Sequence, residues 1–160
     1  MNRKKLRVIL SITFIFYSVF LCYFLFFSDY YGRSINCFDS GYFKAFKEYV
    51  YQNINLIPFA TISLYIKGYL SGVVTIYPLA VNVIGNFIAF MPLGFFVPYF
   101  FKTFRKQFYF LIFIIALIIL VELLQLIFMT GVCDIDDLIL NVSGAQCIYI
   151  ITVIVSRNSN

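Results

Sequence analysis

Four long apolar runs limit what this chain can fold into. They cover about residues 8–27, 81–101, 108–128 and 138–155. A helix needs about 20 mostly apolar residues to cross the hydrocarbon core of a bilayer, and each run is close to that length. With 62% hydrophobic and 12% charged residues, the chain also has too little polar surface for a soluble globular protein. We therefore predict an all-α integral membrane protein, a single domain over residues 1–160 folded as a four-helix transmembrane bundle.

The basic residues predict the direction in which the spans cross the membrane. If the chain crosses the membrane four times, the following basic residues all fall on the same side: Arg3, Lys4, Lys5, Arg7, Lys102, Arg105, Lys106 and Arg157. Because Lys and Arg are enriched in cytoplasmic segments, we expect both termini in the cytoplasm and one long extracytoplasmic segment between spans 1 and 2. The first apolar run is longer than the core of a signal peptide and no small-residue cleavage site follows it, so we expect it to remain as a span.

Two stretches of the extracytoplasmic segment differ from a plain loop. Residues 43–51 are aromatic and charged, and we expect them to lie along the membrane interface. Residues 70–79 are nearly as apolar as a span but only about half as long. Three interpretations of this second stretch stay open: a re-entrant piece, an interfacial piece, or an extension of the second span.

Composition excludes several kinds of chemistry. The chain has no histidine, which excludes Ser–His hydrolysis, His-ligated zinc and thiol–imidazole catalysis. Its net charge of +5 does not predict a nucleic-acid partner, because the basic residues lie at the ends of the apolar runs, where membrane topology explains them. Cys37 and Cys133 are both expected outside, so a disulfide between them is topologically allowed.

Polar side chains from three spans are expected at a similar depth near the extracytoplasmic surface. Glu122 is the one ionisable side chain deep in a span, about 9 Å below the surface if the third span ends near residue 128. A carboxyl group at that depth is a functional-site hypothesis by default. The candidate ligand-binding residues are Asn82, Asn86, Glu122, Gln125, Asp134, Asp136, Asp137 and Asn141. Their common depth predicts one outward-facing polar pocket or groove.

These candidates also have structural interpretations. Asp134 is suited to cap the start of a helix, because carboxylates are favoured at helix N-termini. The carboxamides are suited to join helices through hydrogen bonds. Three carboxylates within four residues exceed what a cap needs, so a divalent cation on Asp134, Asp136 and Asp137 stays open, although neither a DDxxD motif nor a calcium-loop pattern is present. No other cofactor is expected.

Four segments of the chain together resemble the VanZ-like family. They are residues 55–59 (NLIPF), 82–94 (NVIGNFIAFMPLG), 122–125 (ELLQ) and 134–144 (DIDDLILNVSG). Their order and approximate spacing match that family over residues 55–144. The resemblance implies a multi-pass protein of a bacterial plasma membrane, linked to resistance against glycopeptide antibiotics and notably teicoplanin.

The sequence departs from the family pattern just before the aspartates. Many members carry an arginine there, and residues 130–133 contain none. If that arginine normally pairs with an aspartate, the resemblance implies that the partner here is Arg33, Lys67, a metal or a cationic ligand.

Three hypotheses of function follow from the predicted pocket and the resemblance. The first is a non-enzymatic binding or protection protein whose partners are membrane lipid and either a lipid-linked cell-wall precursor or a lipoglycopeptide such as teicoplanin. The alternative is a membrane enzyme that acts on a lipid-linked cell-wall intermediate with Glu122 as general acid or base. The third is a small transporter, which the nearly pure hydrocarbon of the cytoplasmic half-spans disfavours.

Overall fold

The computed structural model describes residues 2–27 and 41–158, which form helices and one very short sheet. The α-helices in this part of the chain are α1 (Arg3–Phe27), α2 (Tyr42–Gln52), α3 (Ala60–Leu70), α4 (Ile76–Ala89), α5 (Met91–Phe100), α6 (Gln107–Ile127) and α7 (Ile135–Asn158). Strands β1 (Ile54–Asn55) and β2 (Cys133–Asp134) pair in parallel, and a 3₁₀ turn covers Lys102–Arg105. The all-helical prediction is confirmed.

Four helical segments are long and apolar enough to cross a membrane, as the sequence predicted. They are Arg3–Phe27, Ile76–Phe100, Gln107–Ile127 and Ile135–Ser156. The second begins at Ile76 rather than near residue 81, so residues 76–79 are an extension of that span. The beginning of the apolar stretch 70–79 is not part of this span. Leu70 is the last residue of α3, and residues 71–75 form the turn to α4.

The second span consists of two helices because a proline interrupts it. Pro92 has no N–H for the helical ladder, and α4 ends at Ala89 before α5 begins. The Leu93 N–H bonds the Phe90 carbonyl at 3.1 Å instead of the Ala89 carbonyl. The Tyr17 hydroxyl of α1 donates to that freed Ala89 carbonyl at 2.7 Å. In lipid a freed backbone group needs such a partner, so the break also fixes α1 to the second span.

Helix α7 lies against both α4 and α5 at very short distance. A Cβ atom on Gly144 would lie 1.8 Å from the carbonyl oxygen of Phe87. A Cβ atom on Gly94 would lie 2.3 Å from the carbonyl oxygen of Ala145. Small residues allow such close approach of membrane helices. Both glycines therefore have a packing role.

The apolar core lies among α4, α5, α6 and α7. Its buried members are Phe90, Leu93, Val97, Phe110, Ile114, Ile118, Ala145 and Tyr149. The rings of Phe110 and Tyr149 stack with centroids 4.3 Å apart, and the Tyr149 hydroxyl donates to the carbonyl of Arg105 at 2.8 Å. This core fills the half of the bundle next to the 3₁₀ turn.

Helices α2 and α3 and the short sheet lie at the other end of the bundle, around the start of α7. Asn55 of β1 pairs with Asp134 of β2. The Tyr49 hydroxyl of α2 donates to the carbonyl of Gly131 at 2.7 Å. Residues 43–51 thus belong to a helix, on which Phe43 is 85% exposed. The position of this helix at the membrane interface stays a prediction.

Positive and negative charges separate along the bundle. No Asp or Glu occurs in residues 1–28, 49–121 or 138–160. The end that holds the start of α1 and the 3₁₀ turn therefore has only basic charged residues, such as Arg7 and Lys102. Glu122 and Asp134 lie at the opposite end.

The close contact at Gly144 gives a test of this packing. We expect Gly144→Ala to destabilise the protein by at least about 1–3 kcal/mol, because the added methyl group collides with the α4 backbone. The measurement is the Tm of purified protein in detergent by far-UV circular dichroism. Gly85→Ala is the matched control: its Cβ meets nothing within 4 Å, so it should gain about 0.5–1 kcal/mol of helix propensity. Equal Tm values for the two variants would contradict the assigned contact.

Candidate functional site

A polar pocket of about 290 Å³ lies at the end of the bundle opposite the 3₁₀ turn. The candidate residues that line it are Asn82, Asn86, Glu122, Gln125, Asp134, Asp137 and Asn141. Apolar side chains complete the wall, among them Phe24 of α1, Val81 of α4 and Val121 of α6. The structure therefore brings together every candidate except Asp136, and their role in binding a ligand stays a prediction.

Asp136 does not line the pocket because its carboxylate caps a different helix. It is 1% exposed, and it accepts hydrogen bonds from the backbone N–H groups of Phe59 and Ile62, the second at 3.1 Å. The first N–H belongs to the N-cap residue of α3 and the second to its first turn, where the helix ladder offers no acceptor. Phe59, which precedes that helix, is left-handed with φ of 64° and has no capping side chain of its own. Asp136 therefore fixes α3 to α7.

Asp134 both lines the pocket and caps a helix. Its Oδ1 atom accepts from the Asp136 N–H at 2.9 Å, at the start of α7. Its Oδ2 atom accepts from the Thr61 hydroxyl of α3, and the Asn55 amide lies within 3.3 Å of the same carboxylate. The capping interpretation of this residue is thus correct in the structure, and both of its oxygens already have donors.

Asp137 joins α7 to α4 through two carboxamides. Its Oδ1 atom accepts from the Nδ2 atoms of Asn86 at 2.6 Å and Asn82 at 3.2 Å. The two asparagines are four residues apart, which places them on one face of α4. Their donors therefore point to the carboxylate.

Glu122 is buried in the pocket with one oxygen unpaired. It is 7% exposed, and its Oε2 atom has no hydrogen-bond partner within the described chain. The Oδ1 atoms of Asn82 and Asn141 are likewise buried without a partner there. Such groups normally find a partner, so three unpaired acceptors on one pocket need an explanation.

Gln125 connects α6 to the end of α1. Its Nε2 atom donates at 3.0 Å to the Leu25 carbonyl, which lies in the last turn of α1. The amide therefore acts as interhelical hydrogen-bond glue, and it also faces the pocket.

Within residues 2–27 and 41–158, no Lys or Arg side chain neutralises the carboxylates of the pocket. Lys67 is exposed in the last turn of α3 and forms no ion pair with the aspartates. Arg33, the other proposed partner, lies outside the described residues. In the same part of the chain, no group of three or more His, Cys, Asp or Glu side chains is arranged to hold a metal ion.

Sequence reasoning missed Thr61 and Tyr65, which line the pocket from α3. Thr61 also donates to Asp134, as described above. The two residues have i, i+4 spacing and so share a helix face, which was the available signal. The signal was missed because residues 56–80 were not recognised as containing a helix.

Cys133 of β2 lies beside the pocket carboxylates. Burial raises the pKa of its thiol, and the negative charges of Glu122 and Asp134 raise this pKa further. The structure gives Cys133 as a free thiol. Cys37, its proposed disulfide partner, lies outside the described residues.

The four spans and the buried acidic pocket define a polytopic helical membrane protein with a polar site at one end. The model of the VanZ/LLP1 family matches residues 14–156, and the chain belongs to this family. The resemblance seen in the sequence is therefore confirmed, and it extends well beyond residues 55–144. No curated protein and no solved structure matches the chain.

Two neutralising substitutions should affect stability in opposite directions. We expect Asp136→Asn to lower the free energy of unfolding by about 1–3 kcal/mol. The buried carboxylate accepts two backbone N–H groups, and the single oxygen of an asparagine amide replaces only one of its two acceptor atoms. We expect Glu122→Gln to raise the Tm, because it removes a buried carboxylate oxygen without a partner. Thermal unfolding in detergent measures both. A drop in Tm for Glu122→Gln comparable to that of Asp136→Asn would show that Glu122 is structural.

The pKa of Cys133 gives a direct measure of negative charge beside the pocket. In protein that keeps Cys133 as its only cysteine, the rate of iodoacetamide alkylation should rise at higher pH than for a free thiol in solution, because the thiolate is the reactive form. Glu122→Gln removes a neighbouring negative charge, so the profile should move to lower pH. Glu48→Gln, on the exposed face of α2, should leave it in place. Identical profiles for both variants would mean that Glu122 carries no charge near this thiol.

Proposed function

We propose that this protein is a binding protein of a bacterial plasma membrane that protects the cell against glycopeptide antibiotics of the teicoplanin type. In this proposal the polar pocket binds a lipid-linked or lipidated ligand from the outer leaflet. The main observation behind the proposal is the buried polar pocket. Residues of the membrane spans line it, and its Glu122 has one oxygen without a hydrogen-bond partner in the described chain. Membership of the VanZ/LLP1 family supports the same proposal.

The form of the pocket suits an amphiphilic ligand. Its polar residues come from α3, α4, α6, β2 and the start of α7, whereas Phe24 and Val121 supply apolar wall. Its volume of about 290 Å³ is near the lower limit for pockets of small ligands, so it would hold one part of a larger molecule. A lipid-linked precursor and an acylated glycopeptide both have an apolar chain next to a polar head.

The charge separation supports an outward-facing pocket. Basic residues without any acidic neighbour occupy the end of the bundle opposite the pocket, and such an end is favoured in the cytoplasm. The pocket then opens toward the outer surface. Glycopeptides and the cell-wall precursors that they bind are found on that side.

The bottom of the pocket favours binding over transport. Phe90 lines the pocket and also belongs to the apolar core, so the core forms its floor. Ile118 and Leu93 of this core are buried beneath it. A ligand entering from the outer side therefore meets packed hydrocarbon.

An enzyme remains the second candidate because Glu122 lines the pocket and its Oε2 atom has no hydrogen-bond partner within the described residues. A carboxyl group with an uncommitted oxygen is suited to transfer a proton to or from a bound substrate. Glu122 would then protonate or deprotonate a lipid-linked cell-wall intermediate. Recovery of the drug and precursors by mass spectrometry separates the candidates: a mass change present with wild type and absent with Glu122→Gln supports the enzyme, and unchanged molecules support binding.

Antibiotic susceptibility tests the proposal directly. Expression in a susceptible Gram-positive host should raise the minimum inhibitory concentration of teicoplanin more than that of vancomycin. Glu122→Gln and Asp137→Asn should return it to the value of the empty vector, because both remove pocket carboxylates. Glu48→Gln neutralises an exposed carboxylate outside the pocket and should keep full protection.

All variants must be present at equal amounts in the membrane. Protection retained by both pocket variants would overturn a role of the pocket. Absence of protection by wild type would overturn the resistance function itself.

A further inference from the structure

We propose that the pocket binds the primary ammonium group of a membrane amphiphile. This inference rests on the proposed function and specifies the charge and hydrogen-bonding capacity of the ligand. It is carried by the unpaired atoms of the pocket together with the absence of a neutralising cation in the described chain.

The unpaired atoms of the pocket are all acceptors. They are the Oε2 atom of Glu122 and the Oδ1 atoms of Asn82 and Asn141. Glu122 is 7% exposed and Asn141 is 3% exposed, so water at the protein surface does not satisfy them. All three residues line the same pocket. A ligand that satisfies them must bring hydrogen-bond donors.

Four side-chain donors of the pocket are already used inside the protein. The Nδ2 atoms of Asn82 and Asn86 donate to Asp137. The Gln125 amide donates to the carbonyl at the end of α1, and the Thr61 hydroxyl donates to Asp134. A phosphate or carboxylate would therefore meet oxygen atoms and negative charge, which disfavours an anionic head group.

The ligand is also expected to be positively charged. Glu122, Asp134 and Asp137 face the pocket, and no Lys or Arg in residues 2–27 and 41–158 pairs with them. Carboxylates buried in a membrane protein are costly to keep ionised without a positive partner. A cation in the pocket removes this cost when it binds.

An organic ammonium group fits these atoms better than a metal ion. A primary ammonium group has three N–H donors, which is the number of unpaired acceptors. The carboxylate oxygens of Asp134 already accept hydrogen bonds, and no metal-binding group of residues occurs in the described chain. The volume of about 290 Å³ greatly exceeds the space of one water molecule, roughly 30 Å³, so the site has room for the atoms that carry the ammonium group.

Three probes with the same alkyl chain separate charge from hydrogen bonding. They are decylammonium, decyltrimethylammonium, which is a cation without N–H donors, and decanol, which is neutral. Purified full-length protein in maltoside detergent is melted with each probe, and Tm is measured by far-UV circular dichroism. Each probe is added to the same mole fraction in the micelles, so differences in Tm report on the head group.

We expect decylammonium to raise the Tm of wild type by roughly 5–10 °C at a concentration about 100-fold above its dissociation constant. The other two probes should raise it much less. Glu122→Gln should lose the preference for decylammonium, and Glu48→Gln should keep it. Equal effects of all three probes, or the same preference in Glu122→Gln, would overturn the proposal.

A second measurement does not depend on folding of the variant. In wild type, decylammonium should slow the alkylation of Cys133, which lies beside Glu122, and decanol should not. Sodium or potassium chloride that protects Cys133 as well as decylammonium would identify an inorganic cation site instead.

If the pocket variants abolish teicoplanin protection but no probe shows an ammonium preference, the proposed function stands and the ammonium inference is wrong. If decylammonium binds as expected but wild type gives no protection, only the proposed function fails.

Discussion

A polar group inside a bilayer has no water to bond, and this constraint explains much of the structure. Where Pro92 breaks the second span, the freed carbonyl of Ala89 receives the hydroxyl of Tyr17. Where α1 ends, its last turn receives the amide of Gln125. Where α3 begins, Asp136 of a distant helix accepts its first N–H groups. Each of these bonds satisfies a backbone group and also joins two elements, so the polar contacts determine how the apolar helices are arranged.

The same constraint is not met at the pocket, nor at Gln146 of α7, whose side-chain amide also lacks a partner within the described residues. Glu122 and Asn141 keep unpaired acceptors although both are buried. Residues close by show that the chain can satisfy such groups, since Asp134 has donors on both of its oxygens. Unpaired groups beside fully paired ones are typical of a functional site, where stability is given up for the binding of a ligand. We therefore propose a functional role for Glu122, whereas the contacts of Asp136 are architectural, although the sequence presents both as carboxylates of one cluster.

The two ends of the bundle have separate tasks. At one end, close packing of α7 through Gly94 and Gly144 and an apolar core provide rigidity. At the other end, α3 and the short sheet enclose the polar side chains. The distribution of charge follows the same division, with basic residues alone at the packed end. A rigid, apolar base beneath a polar pocket holds the pocket residues in place without a compensating charge among the described residues.

The sequence by itself determined the class of protein, the four spans and most polar members of the pocket. It could do so because the length of an apolar run and the depth of a polar residue within it are local properties, set by the helix rise and the bilayer thickness. Only the tertiary structure decided that Asp136 caps α3, that Thr61 lines the pocket, and that the second span begins at Ile76. These features depend on how residues 41–75 fold back on α7. That arrangement rests on contacts between distant parts of the chain, which no local pattern specifies.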